Sequence, residues 1–202
     1  MKYIIATHNV AKLRELSRIL EPLGIEAVTD RDLGIELPEV DETGTTFAEN
    51  AFLKAESACK ATGLPAIADD SGIVVDALNG APGVYSARYG GPDCDDQGRN
   101  LLLLREMDGV PWEKRTAHYA CAVCCVFPDN APAIMVEGEM HGYVGTEQHG
   151  DRGFGYDPLF YVLQDDGTYK TAAQLTDEEK DAISHRGNAL RLFKQELLTR
   201  MG

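Results

Sequence analysis

Two adjacent carboxylates, Asp69 and Asp70, close a short apolar run in the segment Pro65-Ala66-Ile67-Ala68-Asp69-Asp70-Ser71-Gly72. The apolar part is expected to form a short strand at residues 66–68, with extended structure resuming at residues 73–77. A carboxylate pair at the end of a buried strand is costly unless a cation or basic side chains balance it. Neighbouring residues of a strand project to opposite faces, so one carboxylate is expected to face a site and the other to support it. Oxygen ligands suit Mg²⁺, which also takes substrate phosphates into its shell. Taken alone, the same residues would also make an Asp-rich turn closed by Gly72.

The charge balance sharpens that demand. The chain of 202 residues carries 19 Lys and Arg against 33 Asp and Glu, a formal net charge of −14. Such a surface repels a polyphosphate backbone, so a nucleic acid is not an expected partner. A small anionic substrate needs a local basic cluster or a bridging cation. The apolar fraction of 44% suits one domain spanning residues 1–202. No apolar stretch is long enough to cross a membrane, and the opening run is too short for a signal peptide, so the cytoplasm is the expected compartment. Cys59, Cys94, Cys121, Cys124 and Cys125 show no disulfide pattern. Cys121 and Cys124 have CxxC spacing, but no second ligand pair follows, and core thiols are expected.

Helical and extended patterns alternate along the chain. Residues 2–6 form an apolar run, and Leu13, Leu16 and Leu20 then recur at helical spacing before Gly24. A second strand is expected at residues 25–29 and an acidic loop at residues 30–44. Thr46-Phe47-Ala48-Glu49 is a capping box opening a helix that ends near Gly63, and Thr176-Asp177-Glu178-Glu179 is another. A helix is expected at residues 95–108. Residues 117–127 and 133–144 have the composition of a hairpin, residues 159–162 that of a further strand. The fold class is therefore α/β with a mixed sheet flanked by helices.

Four further segments carry groups suited to a nucleotide. Thr7-His8-Asn9-Val10-Ala11-Lys12 lies between a strand and a helix, where free N–H groups and a lysine favour phosphate. Asn50 and Lys54 share a helix face, just downstream of Asp41 and Glu42. In Gly153-Phe154-Gly155-Tyr156-Asp157-Pro158 the glycines allow close backbone approach to a flat ligand, on which Phe154 or Tyr156 can stack. Lys180 precedes Ser184-His185-Arg186, which offers an imidazole donor and a rigid guanidinium fork. Each is unremarkable alone; together they supply the parts that metal-assisted phosphoryl transfer requires.

In this order the motifs resemble those of the inosine/xanthosine triphosphate pyrophosphatases. The resemblance runs from Thr7-x-Asn9-x-x-Lys12 through Thr46-Phe47-x-Glu49-Asn50-Ala51-x-x-Lys54 and Ala68-Asp69-Asp70-Ser71-Gly72. It continues through Gly80-x-Pro82-Gly83-x-Tyr85-Ser86-Ala87-Arg88 and the 153–158 segment to Lys180-x-x-Ile183-Ser184-His185-Arg186. His8 departs from the glycine common at that position. The resemblance implies an elongated α/β fold of two lobes with a substrate cleft, a homodimer, and Mg²⁺-dependent hydrolysis of XTP, ITP and dITP to monophosphate and pyrophosphate. It implies Asp70 as catalytic base and metal ligand, with Asp41 as the other acidic metal position and Glu42 its alternative. Thr7, His8, Asn9, Lys12, Lys54, Ser71, Phe154, Gly155, Tyr156, Asp157, Lys180, His185 and Arg186 are implied substrate contacts.

Overall fold

The computed structural model describes residues 2–7, 9–129 and 131–201. Strand β1 (Lys2–Ile5) leads to helix α1 (Val10–Leu20), β2 (Glu26–Val28) and a short helix α2 (Asp30–Leu33). Helix α3 (Phe47–Thr62), strand β3 (Ala66–Val75) and helix α4 (Asp96–Glu106) follow. Next come β4 (Thr116–Val126), β5 (Ile134–Val144), β6 (Phe160–Leu163) and β7 (Tyr169–Thr171). Helices α5 (Asp177–Ile183) and α6 (His185–Met201) close the chain.

Among the described residues seven strands form one sheet in the order β2-β1-β3-β4-β5-β6-β7. The β1 strand pairs in parallel with β2 and β3, whereas β5–β6 and β6–β7 are antiparallel. The sheet is mixed, as the alternation of patterns predicts. Both expected capping boxes form, at Thr46 with Glu49 and at Thr176 with Glu179. Residues 30–44 are not loop throughout: Thr29 and Asp32 make a third capping box that opens α2. No helix among the described residues is long and apolar enough to cross a membrane.

The carboxylate segment also differs from its expected form. Residues 66–75 are one continuous strand, without the turn that Gly72 suggests. Gly72 is there for lack of space: a Cβ would lie 2.4 Å from Ser86 Oγ and 2.5 Å from Gly83 O. The Ser86 hydroxyl accepts from Ile73 N at 2.9 Å and donates to Gly83 O at 2.6 Å, so the 3₁₀ helix Gly83–Arg88 lies directly on the strand.

The chain divides into two compact units. The first comprises Met1–Asp70, Cys121–Gly138 and His185–Gly202; the second comprises Ser71–Ala120 and Glu139–Ser184. In the first unit, alternate strand residues feed different cores. Ile5, Ile67, Cys121 and Val123 pack with Leu16 of α1 and Phe193 of α6. Ala68, Ala122 and Cys124 pack instead with Ala51 and Ala55 of α3. Cys121 and Cys124 thus belong to different cores, and burial pushes both thiols up to about 12. They are core side chains, as expected. The second unit is centred on Ile73, Val75, Leu103, Met107, Tyr119 and Phe160.

Candidate active site

The two-residue period of β3 decides what each carboxylate meets. Asp69 shares the parity of Ile67, whose core is built with α1 and α6. Its Oδ2 lies 3.0 Å from Lys12 Nζ of α1 and 3.3 Å from Arg186 Nη2 of α6. Asp69 is 2% exposed, and its Oδ1 has no hydrogen-bond partner among the described residues. Burial works to raise the Asp69 pKa, but Lys12, then Arg186 and Lys54, outweigh it and hold the group far below the ordinary carboxylate range. Asp69 is therefore an anionic hub joining two helices to the strand.

Asp70 shares the parity of Ala68 and meets α3. Its Oδ1 lies 3.2 Å from Lys54 Nζ, and its Oδ2 accepts from Asn50 Nδ2 at 3.1 Å. Asn50 also accepts from Gly44 N–H at 2.8 Å, which pins the acidic loop to the start of α3. That loop delivers Glu42, whose Oε1 lies 2.9 Å from Lys54 Nζ. Glu42 is thus the acidic residue that the structure brings into the Asp70 network. Asp41 is exposed, and its carbonyl accepts from Thr43 N–H at 2.9 Å.

The electrostatics of Asp70 are opposite to those of Asp69. Burial raises its pKa, Lys54 and Lys12 lower it, Glu42 raises it again, and the net direction is upward. Burial works to lower Lys54, but Asp70, Asp69 and Glu42 overcome that, so Lys54 stays protonated. Lys12 and Arg186 tie Asp69 down as an anion, whereas burial biases Asp70 towards its protonated form. Among the described residues no three His, Cys, Asp or Glu side chains are placed as a metal cage. The donor set of Asp70 and Glu42 fits magnesium, a hard cation that commonly takes one or two carboxylates plus substrate oxygens.

Two hydrogen bonds join the described residues of the expected phosphate loop. Asn9 N–H donates to Thr7 Oγ1 at 3.2 Å, and Asn9 Oδ1 accepts from Lys12 N–H at 3.2 Å. Asn9 thereby caps α1 and sets the turn from which Lys12 reaches Asp69. His8 lies outside the described residues. Ser71 follows Asp70 on β3, half-buried. His185 and Arg186 open α6 and are both buried. The Arg186 guanidinium, an expected substrate contact, is directed at Asp69 through Nη2 and also Nε at 3.4 Å.

In the second unit the 153–157 loop is held by its own aspartate. Asp157 Oδ2 accepts from Lys180 Nζ at 2.7 Å and from Phe154 N–H at 2.9 Å. Its Oδ1 accepts from the Tyr119 hydroxyl at 3.3 Å. The Lys180 ammonium lies 5.1 Å from the centre of the Phe154 ring, a cation–π distance. Asp157 and Lys180 therefore form a buried ion pair beneath the loop. Of the two aromatic candidates, Tyr156 is buried with its hydroxyl donating to Ser86 O at 2.7 Å, whereas Phe154 keeps part of its surface open.

Sequence reasoning did not single out Asp96 and Asn100 on α4, which hold Gly155 from both sides at 2.9 Å. A signal was present. Asn100, Leu103, Leu104 and Met107 share the spacing of one helix face, and an asparagine among apolar residues on such a face is a polar group with a task.

The model of the Ham1 family matches residues 3–196 of the chain. Among curated relatives, the dITP/XTP pyrophosphatase of Exiguobacterium sp. is 48% identical over 198 residues, covering 98% of this chain and 97% of the relative. The dITP/XTP pyrophosphatase of Escherichia coli K12 is 49% identical, covering 97% and 98%. Among solved structures, a HAM1 protein from Coxiella burnetii superposes with a TM-score of 0.87 at 38% identity, covering 98% of this chain and 99% of its own. The nucleoside-triphosphatase / dITP/XTP pyrophosphatase of Mycobacterium abscessus gives 0.76 at 46% identity, covering 96% and 98%.

Proposed function

The chain belongs to the Ham1 family, and from that premise we propose that it hydrolyses the non-standard purine triphosphates XTP, ITP and dITP to monophosphate and pyrophosphate. The observation that carries the chemistry is the division of labour in β3: Asp69 neutralised by Lys12 and Arg186, Asp70 held by Asn50 and by Lys54, which also pairs with Glu42. Asp70 orients the attacking water towards the α-phosphorus and accepts its proton, and pyrophosphate leaves. Lys54 and Asn50 hold the two Asp70 carboxylate oxygens in place for that task. Lys12, Lys54 and Arg186 offset the charge of Asp69, Asp70 and Glu42, so in an acidic chain the site itself carries no excess negative charge against an anionic substrate. Magnesium, held by Asp70 and Glu42, would supply further charge neutralisation on the triphosphate when bound.

We assign stacking on the base to Phe154 and donation to the purine 6-oxo group to His185. Hypoxanthine and xanthine carry an acceptor where adenine carries an amino donor. A site that donates there leaves ATP with donor facing donor, a mismatch able to discriminate by roughly four orders of magnitude. The homodimer and the cytoplasmic setting belong to the same proposal.

A panel of ITP, XTP, ATP, GTP, dTTP and UTP, with magnesium and scored by pyrophosphate release, tests the function. ITP and XTP are expected to exceed ATP by at least about a hundredfold in kcat/KM, through the mismatch at the 6-position, and to be turned over faster than GTP, dTTP and UTP. Equal rates across the panel would contradict the proposal. Geometry also ranks the two acidic loop residues. Glu42→Gln is expected to lower kcat/KM at limiting magnesium by about tenfold or more, and Asp41→Asn by less than about twofold. The reverse order would return the ligand role to Asp41.

A further inference from the structure

Helix α4 carries a polar pair that packing alone does not require. Leu103, Leu104 and Met107 turn towards the second unit's core, and Asn100 stands at the same phase one turn earlier. Asn100 is 2% exposed, while its neighbour Leu101 is 54% exposed. Asn100 Nδ2 donates to Gly155 O at 2.9 Å. Its Oδ1 is buried with no hydrogen-bond partner among the described residues. One turn earlier, Asp96 Oδ2 accepts from Gly155 N–H at 2.9 Å, while Asp96 Oδ1 pairs with Arg99 at 2.6 Å. Two side chains at i and i+4 on one helix thus take both backbone polar groups of a single residue.

The residue they take is one whose backbone otherwise has wide freedom. Gly155 has φ +62°, in the left-handed region that glycine visits freely along with others. Fixing its N–H and its C=O selects one orientation for the peptide planes on either side, those joining Phe154 to Gly155 and Gly155 to Tyr156. A buried amide oxygen without a partner is a net cost to folding. A leucine of similar volume would fill the position without that cost. What asparagine supplies and leucine lacks is the bond to Gly155.

We infer that Asp96 and Asn100 are positioning residues for nucleobase recognition: through Gly155 they set the orientation of the 153–157 loop, and with it the enzyme's preference among 6-oxopurine nucleotides. The inference rests on the proposed role of that loop at the base. Neither side chain acts on the phosphates, so the chemical step is left largely alone.

The test is Asn100→Leu, which removes the donor and the orphaned oxygen together. Its Tm is expected to stay level or rise. KM for ITP is expected to rise about tenfold with kcat within about twofold, and the ITP-over-GTP ratio of kcat/KM to fall about tenfold. Asp96→Ala, at a largely exposed site in the first turn of α4, is expected to shift KM and the ratio in the same direction, and supplies the readout if Asn100→Leu fails to fold. A lowered Tm with KM and ratio unchanged would make the pair merely structural and overturn the inference. Phe154→Ala, assayed in parallel, separates the two levels. If it leaves KM for ITP unchanged, the loop does not meet the base and the underlying reading fails. If it raises KM while neither α4 variant does, the positioning inference alone is overturned.

Discussion

Asp70→Asn is expected to reduce kcat for pyrophosphate release from ITP by about a thousandfold or more while the protein remains folded. A general base contributes roughly two to four orders of magnitude, and this residue is also assigned to the metal. The asparagine keeps the size and an oxygen for Asn50, which now donates to Asp70 Oδ2. It removes the proton acceptor and the negative charge. The stability sign is separate. A carboxyl whose pKa is raised on folding contributes stability at low pH and loses it as pH rises through the folded value. Burial raises Asp70, so at neutral pH its ionised form is a net cost to the fold. The variant's Tm in chelator is therefore expected to equal or exceed the parent's. A large fall in Tm would make the loss of activity a folding effect.

Asp69→Asn is expected to do the opposite: to damage the fold first and activity as a consequence. The asparagine leaves Lys12 and the almost fully buried Arg186 without the anion that both face. Removing one partner of a buried ion pair costs about 3–5 kcal/mol. In a chain of this size that lowers Tm by roughly 6–20 °C. Acid melts give a second signature. The Asp69 pKa is lowered on folding, so its stabilisation is fully present above the ordinary carboxylate value of about 4 and is lost as pH falls below it. Melts between pH 7 and pH 3 in chelator are expected to show a steeper acid loss in the parent than in Asp69→Asn. Identical slopes would remove Asp69 from its assigned role as the charged hub.

The contrast between these neighbours was partly legible in the sequence. Strand parity alone says that Asp69 and Asp70 face apart, and the structure gives them separate partners. Which partners they meet is a long-range matter: Arg186 lies 117 residues from Asp69. No local pattern reports such a pairing, and Arg186 was accordingly expected as a substrate contact. Helix starts were readable at the capping boxes of Thr46 and Thr176. The box at Thr29 has aspartate in place of glutamate and sits in an acidic stretch, so α2 was expected as loop. Gly72 suggested a turn because close approach by Ser86, the real reason for a glycine, is invisible before the chain folds. Asp157 and Lys180 were expected at the substrate; the structure shows them first as each other's buried partners. Asn100 was readable in principle, as an amide on an apolar helix face, but its partner Gly155 again lies far along the chain.

Asp70 is assigned the activation of water for attack at the α-phosphorus of a 6-oxopurine triphosphate. The most direct measurement is single-turnover hydrolysis of ITP with magnesium in ¹⁸O-water, using the parent and Asp70→Asn side by side. The parent is expected to place the label in the monophosphate and none in pyrophosphate, and the variant to form almost no product in the same time. Label in the pyrophosphate, or product formed by the variant at a near-parental rate, would contradict that assignment.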